Sequence, residues 1–175
     1  MRMTNQTFME DTGNFLDCSK QQITTLDVRK RTALTVLNCW SNQLKKLNVR
    51  KNTKLTILDC CYNQLEKLNV RKNTLLTTLD CSNNRLKSLD VSHNCALNTL
   101  CCRYNQLKKL TVDKNEKLTA LNCCHNQLST AALNALFESL PHKMPDDNAF
   151  ISVTHNPGEN FCDKSIAIHK GWRFI

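Results

Sequence analysis

Long apolar stretches are missing from this 175-residue sequence. No run approaches the roughly 18 consecutive apolar residues that a membrane-spanning helix needs. The opening residues, MRMTNQTFMEDTGN, lack the apolar core of a signal peptide. We therefore expect no membrane span, and a cytoplasmic location if the chain is complete as given.

The sequence motifs of common enzyme classes are missing as well. There is no G-x-S-x-G, no phosphate-binding loop and no H-E-x-x-H, and the few histidines are scattered through turns and the C-terminal segment. The sequence therefore predicts a protein that is not an enzyme and that needs no cofactor.

Spacings typical of zinc sites are absent even though the chain contains 11 cysteines. An odd number excludes complete pairing within the chain, and no C-x-x-C occurs. We expect no metal site, with a site drawn from Cys101, Cys124 and His125 as the alternative. So many free thiols favour a reducing or oxygen-poor setting.

The cysteines instead mark an internal repeat. Written from Leu34, the unit reads LTVLNCWSNQLKKLNVRKNTK, and the next copy reads LTILDCCYNQLEKLNVRKNTL. About five and a half copies are recognisable. The cysteines that recur every 21 residues are Cys18, Cys39, Cys60, Cys81, Cys102 and Cys123.

The unit L-x-x-L-x-C-x-x-N-x-L, followed by L-x-x-L-x-V-x-x-N, resembles the short bacterial class of leucine-rich-repeat proteins. The resemblance extends over residues 13 to 175 and implies a right-handed coil that binds other macromolecules. It also implies export, because many members of this class are secreted or lie on the cell surface. The fold alone does not identify a partner.

Alternating apolar residues predict two walls around a core. Leu37 and Cys39 point inward from one short strand, and Leu47 and Val49 repeat the alternation in the second half of the unit. We therefore predict a mainly β repeat solenoid with short parallel strands on both walls. Periodic asparagines, such as Asn42 and Asn52, are expected to bond to the backbone of adjacent coils.

The last part of the chain departs from the repeat and predicts an α/β cap. Ser129 is a plausible N-cap of a helix that stops at Pro141. A strand is expected with Ile151 and Val153 inward, followed by a short helix ending near Gly171. We divide the chain into a tail (1–12), the solenoid (13–128) and the cap (129–175), as one continuous, monomeric domain.

One candidate binding surface is the outward face of the first wall, which is usually the concave recognition face in leucine-rich-repeat proteins. Trp40 is expected to be exposed there, since the repeat does not require an aromatic residue at that position; packing on Cys61 or on the N-terminal tail is the alternative. Aromatic residues of this kind anchor protein interfaces. The candidates are Trp40, Asp59, Cys61, Tyr62, Asp80, Arg103 and Tyr104.

The second candidate surface is a basic stripe on the second wall, in a chain of formal net charge +9. Its members are Arg29, Lys30, Lys45, Lys46, Arg50, Lys51, Lys67, Arg71 and Lys72. Stacked coils would align these residues for an anionic glycan or another polyanion, or they could be a solvated face that prevents association. No base-stacking aromatics accompany them, so specific nucleic-acid binding is not expected. A protein partner is the first hypothesis and a glycan the second.

Overall fold

The computed structural model describes residues 10–175, which contain one sheet of nine strands in chain order. β1 and β2 pair antiparallel, and each later strand pairs parallel with the strand before it. The strands are β1 (Glu10–Asp11), β2 (Phe15–Asp17), β3 (Val36–Asn38), β4 (Ile57–Asp59), β5 (Thr78–Asp80), β6 (Thr99–Cys101), β7 (Ala120–Asn122), β8 (Phe150–Ser152) and β9 (Arg173–Phe174).

The sheet confirms the first predicted wall. From β3 to β7, residues 21 positions apart pair directly, as Leu37 does with Leu58. The central residue of each of these strands is buried, and the cysteine just after each strand is fully buried. The leucines and cysteines of the repeat therefore form the core side of the sheet.

The prediction of strands on the second wall is wrong for the residues that the structure describes. Leu47 and Val49 are buried as expected, but the Asn52 N–H bonds to the Val49 carbonyl inside the same coil, at 2.9 Å. The Leu55 N–H then bonds to the Asn52 carbonyl at 3.1 Å. These tight turns use backbone groups that parallel pairing would need, so the second wall is a stack of turns.

Asparagine side chains connect the coils, as the sequence predicts. The Asn63 amide donates to the carbonyls of Cys39 and Cys60 at 3.0 and 3.1 Å, and its oxygen accepts from the Leu44 N–H at 2.9 Å. On the second wall, the Asn73 amide donates to the carbonyls of Val49 and Asn52. Both ladders are buried, and their role is structural.

Each coil turns sharply after its strand, at a residue with positive φ. Tyr62 has a φ of 51° and Tyr104 a φ of 53°, although neither is glycine. This left-handed conformation is uncommon for such residues. Because it recurs once per coil, it sets a column of side chains along one edge of the sheet.

The segment after the last coil folds as helix, strand and short helix. Helix α1 (Thr130–Ser139) has Ser129 as its N-cap, which confirms that prediction, and it buries Leu133, Leu136 and Phe137. A 3₁₀ helix (Pro145–Asp147) leads to β8, and helix α2 (Ser165–His169) leads to β9. Gly171, with a φ of +83°, follows α2 as expected.

The two ends of the described region each add a strand that the sequence does not predict. β9 pairs with β8 after the second cap helix. β1 lies inside the segment assigned to the tail, whose residues 1–9 are outside the described part of the chain. The sheet therefore extends beyond the repeat at both ends.

Candidate functional site

The outward face of the sheet, called the sheet face below, carries two columns of side chains. The first column ends the strands, and the second lies two residues further along each coil. Strand pairing places Asp59 directly beside Asp80. The first column is Asp17, Asn38, Asp59, Asp80, Cys101 and Asn122, and the second is Trp40, Cys61, Ser82, Arg103 and Cys124.

Asp59, Cys61 and Asp80 form a compact cluster near the middle of this face. One side-chain donor atom from each lies within 4.8 Å of the others. Burial raises the pKa of the Asp59 carboxyl, and the nearby Asp80 raises it further, while hydrogen bonds from Cys61 oppose the shift. Among the described residues, no lysine or arginine forms an ion pair with either carboxylate.

The cysteines of the sheet face lie at its outward positions but are little accessible. Cys61 and Cys124 are buried and Cys101 is half-buried. The Cys124 sulphur lies 2.9 Å from the Ser152 hydroxyl and 3.1 Å from the Thr154 hydroxyl. The Cys101 sulphur accepts from the Ser82 hydroxyl at 2.9 Å. Neighbouring coils therefore cover these small side chains.

Trp40 is half-buried rather than exposed, which corrects the sequence-based expectation. The Lys20 ammonium lies 4.5 Å from the centre of the Trp40 ring, at cation–π distance. Lys20 occupies the left-handed turn of the preceding coil, with a φ of 55°. One face of the indole is thus already occupied by a charged group of the chain.

The column of left-handed residues holds a stack of rings that sequence reasoning missed. The ring centres of Tyr104 and His125 are 4.0 Å apart, as are those of His125 and His155. The pKa of His125 is lowered by desolvation and by the charges of His155 and Arg103. Tyr104 and His125 occupy the same position of successive repeats, 21 residues apart, so their proximity could have been predicted from the sequence. His155 occupies the equivalent position of the next coil, but the helix inserted before it obscures this relationship.

The remaining sheet-face candidates are open to solvent. Tyr62 is 53% exposed and Tyr104 46% exposed, and Arg103 is exposed beside them. The structure therefore brings the two tyrosines and Arg103 to one accessible edge, with Trp40, Asp59, Cys61 and Asp80 more deeply seated.

All nine members of the basic stripe are exposed. A shallow groove on this wall is lined by Arg29, Asn48, Arg50, Lys51, Thr53 and Lys72. Two of the stripe's arginines already have partners: Arg29 bonds to Asp27 at 2.8 Å, and Arg71 bonds to His93 at 3.1 Å. Arg50, Lys51 and Lys72 line the same groove and form no ion pair with a described residue.

The alternative metal site is not formed. Within residues 10–175, Cys101, Cys124 and His125 do not converge as a group of metal donors, whereas Asp59, Cys61 and Asp80 do. No helix in this part of the chain is both long enough and apolar enough to cross a membrane.

Comparison with solved structures finds leucine-rich-repeat proteins. The functional domain of InlJ from Listeria monocytogenes, described as including a cysteine ladder, is 33% identical over 91% of this chain and 39% of that one, with a TM-score of 0.63. A leucine-rich-repeat protein of Leptospira interrogans is 25% identical over 81% of this chain and 43% of that one, with a TM-score of 0.61. Internalin C2 of L. monocytogenes shares the fold, with a TM-score of 0.70 at 17% identity over 93% of this chain and 80% of that one.

These similarities, together with the parallel sheet, show that the chain has the fold of a mainly β leucine-rich-repeat solenoid. It spans about two fifths of the length of the first three similar structures, at 39%, 44% and 43%. Neither the family models nor the curated proteins contain a match to the sequence.

Proposed function

We propose that this chain is a non-enzymatic protein-binding module that contacts its partner through the sheet face. The observation that carries the proposal is the grouping of Trp40, Tyr62, Arg103 and Tyr104 on one side of a rigid stack of coils. Its solved neighbours are repeat proteins of a kind that generally serves as interaction modules.

The chemistry of the exposed groups suits a protein interface. Tryptophan, tyrosine and arginine are the residues that most often dominate binding energy, because they combine large apolar area with hydrogen bonding. The two tyrosines are about half exposed, and no described aromatic ring stacks on Tyr62. A partner can therefore bury substantial apolar surface without rearrangement of the solenoid.

The sheet face also has a defined charge pattern. Asp59 and Asp80 place negative charge near its middle, although the chain as a whole is basic. Arg103 lies on the coil after Asp80, toward the C-terminal end. A partner with a basic group near its centre and an acidic group at one side would complement this order.

The proposed setting is the bacterial cell surface or the secreted fraction, with the module acting as a monomer. Support comes from the resemblance of the repeat to a bacterial class with many exported members and from solved neighbours in Listeria and Leptospira. Eight of the cysteines are buried. Because buried thiols react slowly, these cysteines are compatible with both the cell surface and the secreted fraction.

A second candidate function is the binding of an anionic glycan along the basic stripe. The groove lined by Arg50, Lys51 and Lys72 favours it, because cations there repeat along the axis of the solenoid. Such binding should weaken steeply as ionic strength rises, since it releases counterions. A solvated face that prevents association is the competing interpretation.

Two matched variants separate the candidates. Trp40→Ala with Tyr104→Ala removes apolar area from the sheet face, and Arg50→Glu with Lys51→Glu reverses charge on the stripe. We expect partner binding to be lost in the first and retained in the second, with little dependence on salt. If only Arg50→Glu/Lys51→Glu lost binding, and wild-type binding weakened steeply with salt, the glycan-binding proposal would replace the protein-binding one.

A further inference from the structure

Three side chains that can bind metal converge on the sheet face. Asp59 ends β4 and Asp80 ends β5, and the two are direct partners in the sheet. Cys61 follows Asp59 by two residues and lies on the same face. The donor atoms lie within 4.8 Å of one another, whereas ligands of one tetrahedral zinc ion are about 3.5 Å apart. Metal binding would require these side chains to rotate so that the donor atoms approach one another by about 1 Å.

The state of the Cys61 thiol is a separate observation that points to a ligand. Cys61 is only 8% exposed, and among the described residues its thiol hydrogen-bonds to no group other than Asp59. By contrast, Cys60 donates to the Asp80 carbonyl at 3.5 Å, and Cys101 accepts from Ser82. The Cys61 sulphur lies within 4.8 Å of an oxygen of each carboxylate.

The charge balance of the cluster favours a cation. Neither carboxylate is ion-paired within the described residues. A bound divalent ion would neutralise the two carboxylates and stabilise a Cys61 thiolate.

In most coils an Asp or Asn at the end of the strand accepts from the backbone N–H two residues later, but the combination of two carboxylates and a thiol is specific to two coils. In the preceding coil the positions of Asp59 and Cys61 hold Asn38 and Trp40. Two coils later they hold Cys101 and Arg103. Within residues 10–175, only the pairing of β4 and β5 brings two carboxylates and a thiol this close together.

We propose that Asp59, Cys61 and Asp80 form a binding site for a thiol-binding divalent metal ion of the zinc type. A thiolate ligand selects against magnesium and calcium, which take oxygen ligands. Three protein ligands leave a fourth position that faces outward. This inference goes beyond the proposed protein binding and does not depend on it.

The test uses reduced, metal-free protein titrated with Co²⁺, which substitutes for Zn²⁺ and gives a thiolate-to-metal absorption band. We expect one equivalent to bind with this band. Cys61→Ser should abolish the band, and Asp59→Asn and Asp80→Asn should each weaken binding by about tenfold or more. The matched controls Cys95→Ser and Asp90→Asn remove an exposed thiol and an exposed carboxylate and should change nothing.

A band that persists in Cys61→Ser, or the absence of a band in the wild-type protein at stoichiometric Co²⁺, would overturn the proposal. A second measurement covers variants that fold poorly: Zn²⁺ should raise the thermal midpoint of the wild type and of Asp90→Asn equally, and that of Asp80→Asn by clearly less. An equal rise in all three would overturn it too. Because no partner protein is present, failure here leaves the protein-binding proposal unaffected.

Discussion

The ammonium of Lys20 lies 4.5 Å from the centre of the Trp40 ring, so one coil places its charge over the aromatic face of the next. The contact is partly exposed and contributes about 0.5–1 kcal/mol. It also determines how much of the indole a partner meets, because the occupied side is unavailable until Lys20 moves.

Removal of this ammonium should expose Trp40. In Lys20→Met we expect stronger quenching of Trp40 fluorescence by acrylamide and a loss of less than about 1 kcal/mol in unfolding free energy. Trp172 is 1% exposed and should stay unquenched, so the change can be assigned to Trp40. The control is Lys45→Met, which removes an exposed lysine of the basic stripe. Equal quenching in both variants would show that Lys20 does not cover the ring.

The two walls show how far sequence patterns determine this fold. The 21-residue spacing predicts the leucines, cysteines and asparagines of the core correctly, since each role depends only on position within the coil. The second wall was predicted as strands because alternating burial of Leu47 and Val49 looks the same in a strand and in a stack of turns. The bond from Asn52 to Val49 decides between them, and the apolar pattern does not encode it.

The candidate site is harder to predict, because it depends on contacts between side chains of different coils. The 21-residue spacing puts Asp59 and Asp80 at equivalent positions of adjacent coils, and the sheet pairs them directly. The burial of Cys61 and the position of Lys20 over Trp40 depend on rotamers and on left-handed turns, which a repeat consensus does not report. Whether the sheet-face residues bind a partner stays a prediction.

The asparagine ladder should contribute much of the stability. Asn63→Ala removes the side-chain oxygen that accepts from the Leu44 N–H and the amide nitrogen that donates to three carbonyls, those of Cys39, Cys60 and Cys61. The Leu44 N–H is left buried without a partner, which costs about 1–3 kcal/mol, and each carbonyl loses one of its hydrogen bonds, so we expect a loss of about 3 kcal/mol in denaturant unfolding.

The matched control is Asn69→Ala, where an exposed asparagine accepts a single bond from the Arg71 N–H at 3.1 Å. It should cost less than about 1 kcal/mol. Comparable losses in the two variants would mean that the ladder is not what holds adjacent coils together.

Thiol reactivity should follow burial. Cys95 is exposed, Cys101 and Cys162 are intermediate, and the other eight cysteines are buried. Burial raises the pKa of Cys18 to about 11 and raises that of Cys60 as well, so little nucleophilic thiolate exists at neutral pH. Alkylation followed by mass spectrometry should show rapid modification of Cys95 and slow modification of Cys60. Rapid loss of Cys60 in folded protein would contradict the burial of the ladder.

The same shifts predict alkaline unfolding. A thiol whose pKa is raised in the folded state stabilises the protein fully below the unfolded value of 9.0. This stabilisation decreases as pH rises from that value toward the folded pKa, by about 1.4 kcal/mol per pH unit and thiol. Unfolding free energy in reductant should therefore fall steeply above pH 9, and less steeply in Cys60→Ala. A flat profile to pH 11 would contradict the assignment.

The most direct test of protein binding is partner retention by four forms of the chain at low and high salt, in extracts from its native surroundings. The forms are the wild type, Trp40→Ala/Tyr104→Ala, Arg50→Glu/Lys51→Glu, and Asn69→Ala as a neutral control. The account predicts one protein retained by the wild type, the stripe variant and the control at both salt concentrations, and lost from the sheet-face variant. Retention by the sheet-face variant, with loss from the stripe variant or at high salt, would contradict it.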